Sequence, residues 1–147
     1  LRAHLQRGPG IGLQRIEPGS KHSYFLFLLN LMDGQFTCDA SGFAEALRAE
    51  GVNAQANLIT GGRPVYLYDL FQHRSAFPHS RYPFQSLDLG TDRSYPAGLC
   101  PNAEKAFHSW LVVELLENYS EQNVDEIALA VAKVARHFRK RQSAAHS

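Results

Sequence analysis

The segment from Gly61 to Tyr66, with the sequence GGRPVY, has residue types and spacing suited to holding a small polar ligand. Its two glycines allow a backbone to approach a ligand closely. Arg63 offers planar donors for a phosphate, a carboxylate or sugar hydroxyls, and Tyr66 offers a ring for stacking and a hydroxyl for hydrogen bonding. A simple turn with a surface arginine and a half-buried tyrosine is the alternative interpretation.

Outside this segment, the sequence lacks the motifs of a self-contained active site. Its seven histidines form no HxxxH or HExxH pair, and such pairs are typical of zinc sites. It has no Walker A, GxGxxG or GxSxG motif. We therefore expect no metal site and no catalytic residue in the chain itself.

The composition limits the class of protein. The 147 residues are 44% hydrophobic and 20% charged, with a net charge of +1, which is typical of one ordinary globular domain. So small an excess of positive charge argues against a general binder of nucleic acids or anionic membranes. No apolar run reaches the ~18 residues of a membrane-spanning helix. We expect neither nucleic acid nor a membrane as a partner.

The number and spacing of the cysteines indicate the cellular compartment of the protein. The chain has two cysteines, Cys38 and Cys100, and no CxxC pair. This is typical of free thiols in a reducing cytosol, so we expect a cytoplasmic protein. A single disulfide bridge remains open.

In the first half of the chain, the pattern predicts a strand, a helix and a second strand before the candidate segment. Residues 22–31 are apolar on both faces and favour a strand buried on both sides, with a short buried helix as the alternative. A helix is expected from Asp39 or Ser41 to Glu50, ended by a glycine. Residues 52–59 alternate loosely and indicate the second strand. These elements favour a compact α+β unit.

After the candidate segment, two helices and a strand are predicted. A helix begins at Pro101 and runs to about His108, and residues 110–116 form a third strand. Ser120 caps a final helix whose apolar residues recur with helical spacing as far as Phe138.

Residues 72–99 form a long segment without clear periodicity, which is unusual inside a compact domain. A mobile loop is one interpretation. Its aromatic residues, Phe77, Tyr82, Phe84 and Tyr95, favour instead an arm that packs against a partner surface.

The beginning of the chain reads as a piece of something longer. The chain starts with Leu1 instead of Met, and residues 1–19 read as the end of a helix followed by an extended connector. We expect a fragment of a longer protein. Processing or trimming is the alternative.

Five stretches, in the same order, resemble a known family. They are LRAHL…GPGIGLQRIEPGSKHSYFLFLLNL, FAEALRAEGVNAQ, RPVYLYDLF, CPNAEKAF and WLVVELLENYSEQNVDEIALAVAKV. Together they resemble the C-terminal part of the pyridoxal-phosphate-dependent sugar aminotransferases of the DegT/DnrJ/EryC1/StrS family. The resemblance extends over essentially all of the chain.

The resemblance implies a fold and a domain division. The expected fold is α+β, the small C-terminal domain of a fold-type-I enzyme, with a short, mostly antiparallel sheet and helices packed on one side. Residues 1–19 would be the tail of the large domain and a connector. Residues 20–141 would form the small domain, and residues 142–147 a disordered tail.

The resemblance also implies a function for the longer protein. It would transfer an amino group from glutamate or glutamine to a keto-sugar or keto-cyclitol, in nucleotide-sugar or aminocyclitol biosynthesis, as a homodimer. The missing large domain would hold pyridoxal phosphate and its Schiff-base lysine, so we expect this chain alone to bind no cofactor and to be inactive. Some relatives have histidine in place of that lysine and catalyse a dehydration, so a dehydratase is an alternative for the longer protein. A non-catalytic sugar-binding or regulatory domain is the alternative from another class.

Four residues become substrate-side candidates. Tyr66 matches a position where relatives place a histidine or tyrosine that contacts the sugar, and Arg63 matches a basic position just before it. Gly62 adjoins them, and His22 is a lesser candidate for which a core or rim histidine is the alternative. The sequence departs from the family at Leu67, where relatives have an arginine directly after the tyrosine.

Overall fold

The computed structural model describes residues 1–5, 8, 10–56, 60–80, 82–84 and 94–140. Its helices are α1 (Arg2–Leu5), α2 (Ala40–Ala49), α3 (Asp69–Gln72), α4 (Pro101–Ser109) and α5 (Glu121–Phe138), and its strands are β1 (Ile11–Leu13), β2 (Phe27–Leu31), β3 (Ala54–Ala56) and β4 (Trp110–Val113). Within these described ranges, no helix combines the length and the apolar character needed to cross a bilayer. The predicted α+β class is confirmed.

The four strands form one antiparallel sheet in the order β1-β2-β4-β3. In its register, Leu29 faces Leu111, and Val113 faces both Phe27 and Ala54. Directly paired residues lie on the same face of a sheet, and these five side chains are all buried in the core.

Helices α2 and α5 cover this face of the sheet. They supply Phe43, Leu47 and Val131 to the same buried cluster, and all three side chains are fully buried. The expectation of an antiparallel sheet with helices packed on one side is therefore confirmed.

The opposite face of the sheet has a different character. There Leu28 faces Val112, and Asn30 faces Trp110. Trp110 is 42% exposed, while the side-chain oxygen of Asn30 is enclosed and accepts no hydrogen bond from the described part of the chain. We call this the open sheet face, because it leaves a large aromatic side chain in contact with solvent.

The strand predicted over residues 22–31 is shorter than expected. It begins at Phe27, because Tyr24 adopts a left-handed conformation with φ 52°, which does not fit an extended strand. Its residues alternate between buried and half-buried, so the prediction of burial on both sides was wrong. The strand predicted over residues 110–116 likewise ends at Val113.

The strand predicted over residues 52–59 is present as β3, Ala54–Ala56. Val52 and Asn53 precede the strand, and the carbonyl of Asn53 accepts a hydrogen bond from the Glu114 N–H at 3.0 Å. Residues 57–59 and the predicted tail of residues 142–147 lie outside the described residues.

Residues 1–19 contain one strand that the sequence did not reveal. The predicted helix end is present as α1, but β1 then pairs with β2, with Ile11 opposite Leu31. Both Leu5 and Ile11 join the core. Three residues are too few to show the alternation by which strands are recognised. The division of domains at residue 19 stays a prediction.

The long helices begin where their capping residues predict. The Asp39 side chain accepts a hydrogen bond from the Gly42 N–H at 2.9 Å. At α5 the Ser120 hydroxyl accepts from the Asn123 N–H at 3.2 Å, and the Asn123 side chain accepts from the Ser120 N–H at 2.9 Å. This reciprocal pair satisfies two amides that the first turn of a helix leaves without partners.

Replacing Ser120 by alanine is expected to lower the free energy of unfolding by about 1 kcal/mol, the usual loss for a helix N-cap. Urea denaturation followed by circular dichroism measures this loss. Ser20→Ala, at an exposed serine before β2, is the control and should change stability by less than ~0.5 kcal/mol. Equal losses in the two variants would argue against the capping role.

Candidate functional site

The candidate segment forms a tight, irregular turn that we call the site loop, residues 61–68. Gly61 and Gly62 adopt φ values of 61° and 78°, in the region that favours glycine. A Cβ at Gly61 would meet no atom within 4 Å. The turn's backbone conformation therefore accounts for glycine at this position, and a ligand approaching Gly62 closely stays a prediction.

Arg63 projects from the site loop beside an aromatic ring and a carboxylate. Its guanidinium carbon lies 5.2 Å from the centre of the Tyr68 ring, and its Nη2 lies 3.7 Å from Oδ1 of Asp69. The side chain is 51% exposed. Exposed ion pairs add little stability, so the main effect of these contacts is to orient the guanidinium at the surface.

Tyr66 is anchored through its hydroxyl group. The hydroxyl donates a hydrogen bond to the Glu104 carboxylate in α4 and accepts one from the Cys100 N–H at 3.2 Å. The same carboxylate oxygen of Glu104 accepts from the Gly98 N–H at 2.6 Å. A phenol has one proton to donate, so the hydroxyl proton of Tyr66 is already used within the protein.

The pKa values of the two side chains reflect this contact. Desolvation, followed by the hydrogen bond to Glu104, raises the pKa of the Tyr66 hydroxyl above its ordinary value. The hydrogen bond from Tyr66, followed by that from the Gly98 N–H, lowers the pKa of the Glu104 carboxyl. Both directions favour a neutral phenol that donates to an ionised carboxylate over the neutral pH range.

A second anchor holds the site loop to the arm that follows it. The Gln72 side-chain amide donates to the carbonyls of Tyr66 and Tyr95, each at 2.8 Å. The rings of Phe71, Phe84 and Tyr95 pack edge to face, with centroids 5.3 to 6.2 Å apart. Such pairs are favourable arrangements for aromatic rings, so these residues form a small aromatic cluster beside the loop.

The cluster bears on the long arm predicted over residues 72–99. Phe84 and Tyr95 pack on a residue of this same chain, whereas Phe77 and Tyr82 are 54% and 61% exposed. Residues 81 and 85–93 of the arm lie outside the described residues. Packing against a partner surface thus stays a prediction for Phe77 and Tyr82.

His22 contacts its own segment. Its Nδ1 accepts a hydrogen bond from the Tyr24 N–H at 2.8 Å, and the two rings stack with centroids 4.4 Å apart. An accepting Nδ1 places the ring proton on Nε2. Among the described residues both contacts are with Tyr24, so the structure groups Gly62, Arg63 and Tyr66 in one loop and leaves His22 in another segment.

Sequence reasoning missed the partners of Tyr66. Glu104 lies in the stretch CPNAEKAF, whose sequence alone indicates no functional role for it. Glu104 lies 38 residues from Tyr66 in sequence, and no local pattern pairs residues so far apart. A signal was present in the resemblance, because RPVYLYDLF and CPNAEKAF are both among the stretches that resemble the family.

Comparison with known proteins supports the fold. No family model matches the sequence, and no curated protein matches it. Among solved structures, one similar chain is "Helicobacter pylori PseC, aminotransferase involved in the biosynthesis of pseudoaminic acid". The match has a TM-score of 0.63 and 20% identity, over 93% of this chain. This chain has the fold of one part of an aminotransferase. It spans 30% of the length of PseC.

Two lysines of this chain lie in surface ion pairs, an arrangement unlike a Schiff-base site for pyridoxal phosphate. A Schiff-base lysine needs a nucleophilic amine in an enclosed site. Lys105 and Lys133 are instead paired at the surface with Asp33 and Glu50, and both are more than half exposed. Within the described ranges, no group of three histidine, cysteine or acidic residues is placed to hold a metal ion.

Proposed function

We propose that this chain is the small C-terminal domain of a pyridoxal-phosphate-dependent sugar aminotransferase of the DegT/DnrJ/EryC1/StrS family. The longer protein would transfer an amino group from glutamate or glutamine to a keto-sugar or keto-cyclitol. The single observation that carries this proposal is the likeness of 93% of the chain to part of PseC, with a TM-score of 0.63. The five sequence stretches that resemble the family, in matching order, support it independently.

The site loop would form the substrate side of the active site. Arg63 has an oriented and half-exposed guanidinium, which suits a phosphate or sugar hydroxyls. Tyr66 would offer its ring and a remaining lone pair. Gly62 would offer its backbone, and His22, from the segment before β2, would offer an Nε2–H donor at the rim.

The cofactor would be bound mainly by another part of the protein. The family resemblance assigns the amine that holds pyridoxal phosphate to a large domain that precedes this one, and the surface ion pairs of Lys105 and Lys133 agree with that assignment. The isolated chain would then have neither cofactor nor activity. Whether amino transfer or the related dehydration takes place would depend on that domain.

The large domain and a second subunit are the proposed macromolecular partners. Exposed aromatic side chains support a covering surface: Trp110 on the open sheet face, Phe77 and Tyr82 on the arm, and Phe25 before β2. Large apolar side chains exposed to water favour association when another protein surface buries them. A cytoplasmic location is part of the same proposal and is supported by the free thiols of Cys38 and Cys100.

Intact mass and cofactor content test the proposed function. We expect the protein isolated from its source to be much heavier than the 16.4 kDa of this chain. We expect it to show the absorbance of bound pyridoxal phosphate and to transfer nitrogen from glutamate or glutamine to a nucleotide-linked keto-sugar. The 147-residue chain alone should be colourless and inactive.

Two other outcomes would contradict this expectation in different ways. A colourless source protein of about the same mass as this chain, without transferase activity, would leave a non-catalytic sugar-binding or regulatory domain. A yellow, heavier protein that dehydrates the keto-sugar without transferring nitrogen would keep the fold assignment but replace the reaction.

A further inference from the structure

We infer that Glu104 is the positioning residue of the candidate site, because its carboxylate ties the site loop to helix α4 and thereby fixes where Arg63 presents its guanidinium to the substrate. This inference rests on the proposed function for the identity of the substrate. The hydrogen bonds of Glu104 from which we draw this inference are present whatever the function of the protein is. Glu104 itself would not touch the substrate.

The geometry brings the site loop and the segment before α4 to one carboxylate oxygen. Oε1 of Glu104 accepts from the hydroxyl of Tyr66 in the site loop and from the N–H of Gly98 in the segment before α4. Cys100, which caps α4, donates its N–H to the same hydroxyl at 3.2 Å. Hydrogen bonds to an ionised acceptor are stronger than those between neutral groups.

A short, turned stretch of backbone connects this anchor to Arg63. Arg63 lies three residues before Tyr66, and directly after Arg63 the turn of residues 64–67 is closed by the hydrogen bond from the Leu67 N–H to the Pro64 carbonyl at 2.9 Å. Pro64 is buried and cannot vary its φ angle freely. The loop between the anchor and Arg63 is therefore short and stiff, so a shift of Tyr66 would move Arg63 with it.

The anchor also decides what Tyr66 can contribute. Its only proton is donated to Glu104, and one of its lone pairs receives the Cys100 N–H. A sugar hydroxyl could reach only the ring face or the second lone pair. The main role of Tyr66 is thus to hold the site loop in place, and Arg63 makes the charged contact with the substrate.

The anchor should hold throughout neutral pH. The pKa of the Glu104 carboxyl is lowered in the folded protein, so its contribution to stability is present above the ordinary carboxyl pKa and is lost as the pH falls through the lowered value. The pKa of Tyr66 is raised, so its hydroxyl keeps its proton to a higher pH than an ordinary tyrosine.

Kinetics of the full-length protein test the inference, with a nucleotide-linked keto-sugar as the variable substrate. Glu104→Ala is expected to raise KM about tenfold, the equivalent of one lost hydrogen bond to a charged group, with little change in kcat or in bound pyridoxal phosphate. Glu104→Gln keeps the oxygen acceptor but loses its charge, so we expect a smaller rise. Glu45→Gln, at an exposed position of α2, is the matched control and should leave KM unchanged.

Tyr66→Phe removes the other partner of the same bond. Because both substitutions break one interaction, the double variant Tyr66→Phe with Glu104→Ala should be no worse than the poorer single variant. An active wild-type protein whose KM is unchanged in Glu104→Ala would overturn the inference. Independent, multiplying losses in the double variant would overturn it as well.

A tyrosine titration separates this inference from the proposed function. The ultraviolet difference between the wild type and Tyr66→Phe, measured on the full-length protein, isolates the titration of Tyr66. In Glu104→Gln this titration should move to lower pH. If the wild type has neither cofactor nor activity, the proposed function is wrong, and the titration then decides whether Glu104 holds the loop: a shift supports the anchor, and an unmoved curve overturns it.

Discussion

Replacing Phe43 by alanine is expected to lower the free energy of unfolding by about 3–5 kcal/mol, the usual range for a fully buried phenylalanine. Phe43 lies on α2 and has no exposed surface. Its ring packs edge to face on Phe36 and tilted on Phe138, with centroids 5.5 and 6.4 Å away. The substitution would therefore open a cavity where α2, α5 and the turn after β2 meet.

Urea denaturation of the wild type and of Phe43→Ala, followed by circular dichroism, measures the loss in the free energy of unfolding. Leu129→Ala is the matched control, because Leu129 lies on the outer side of α5 and is 70% exposed; its expected effect is below ~0.5 kcal/mol. A loss below ~1 kcal/mol for Phe43→Ala would mean that this interface does not form as described. The packing of α2 and α5 on the sheet would then be wrong.

The two helices in this interface were predictable from sequence for a physical reason. A helix repeats its apolar face every three to four residues and satisfies its first amides locally, through a cap such as Asp39 or Ser120. Both signals lie within one short stretch of sequence. The predicted bounds of α2 and α5 therefore agree closely with the observed Ala40–Ala49 and Glu121–Phe138.

Strands were harder to predict, because their limits depend on partners elsewhere in the chain. β1 has three residues and is recognisable only by its pairing with β2. Residues 22–26 have strand-like composition, yet the Tyr24 N–H bonds to the His22 side chain and Tyr24 turns to a positive φ. Hydrogen bonds of this kind between a side chain and the nearby backbone compete with strand formation, and composition does not reveal them.

The candidate site shows the same contrast between features encoded locally in the sequence and contacts between distant residues. Arg63 and Tyr66 were chosen as candidates because their residue types stand beside a pair of glycines. The structure places both in the site loop, and their role in binding stays a prediction. Glu104 was not found, because its contact with Tyr66 joins residues far apart in sequence. The aromatic residues of the arm were also only partly predictable. Phe84 and Tyr95 pack on Phe71 of the same chain, and no periodic pattern in the sequence indicated these contacts.

Replacing Arg63 by alanine in the full-length protein is expected to raise KM for a nucleotide-linked keto-sugar by about 10- to 100-fold, the loss expected when a charged hydrogen-bond donor is removed. Arg63→Lys keeps the charge but loses the planar pair of donors, so its effect should lie between those of the wild type and alanine. Bound pyridoxal phosphate should not change, because the proposed function places the cofactor in another domain. Steady-state kinetics and the cofactor absorbance measure the two quantities.

The matched control is Arg15→Ala, at an exposed arginine paired with Glu17, which should leave KM unchanged. An unchanged KM in Arg63→Ala would remove this residue from the substrate side of the site. The double variant Arg63→Ala with Glu104→Ala tests whether the two residues act through one another. If Glu104 acts by placing the guanidinium, then removing the carboxylate should cost nothing more once Arg63 is alanine, whereas the same substitution in the wild-type background should raise KM.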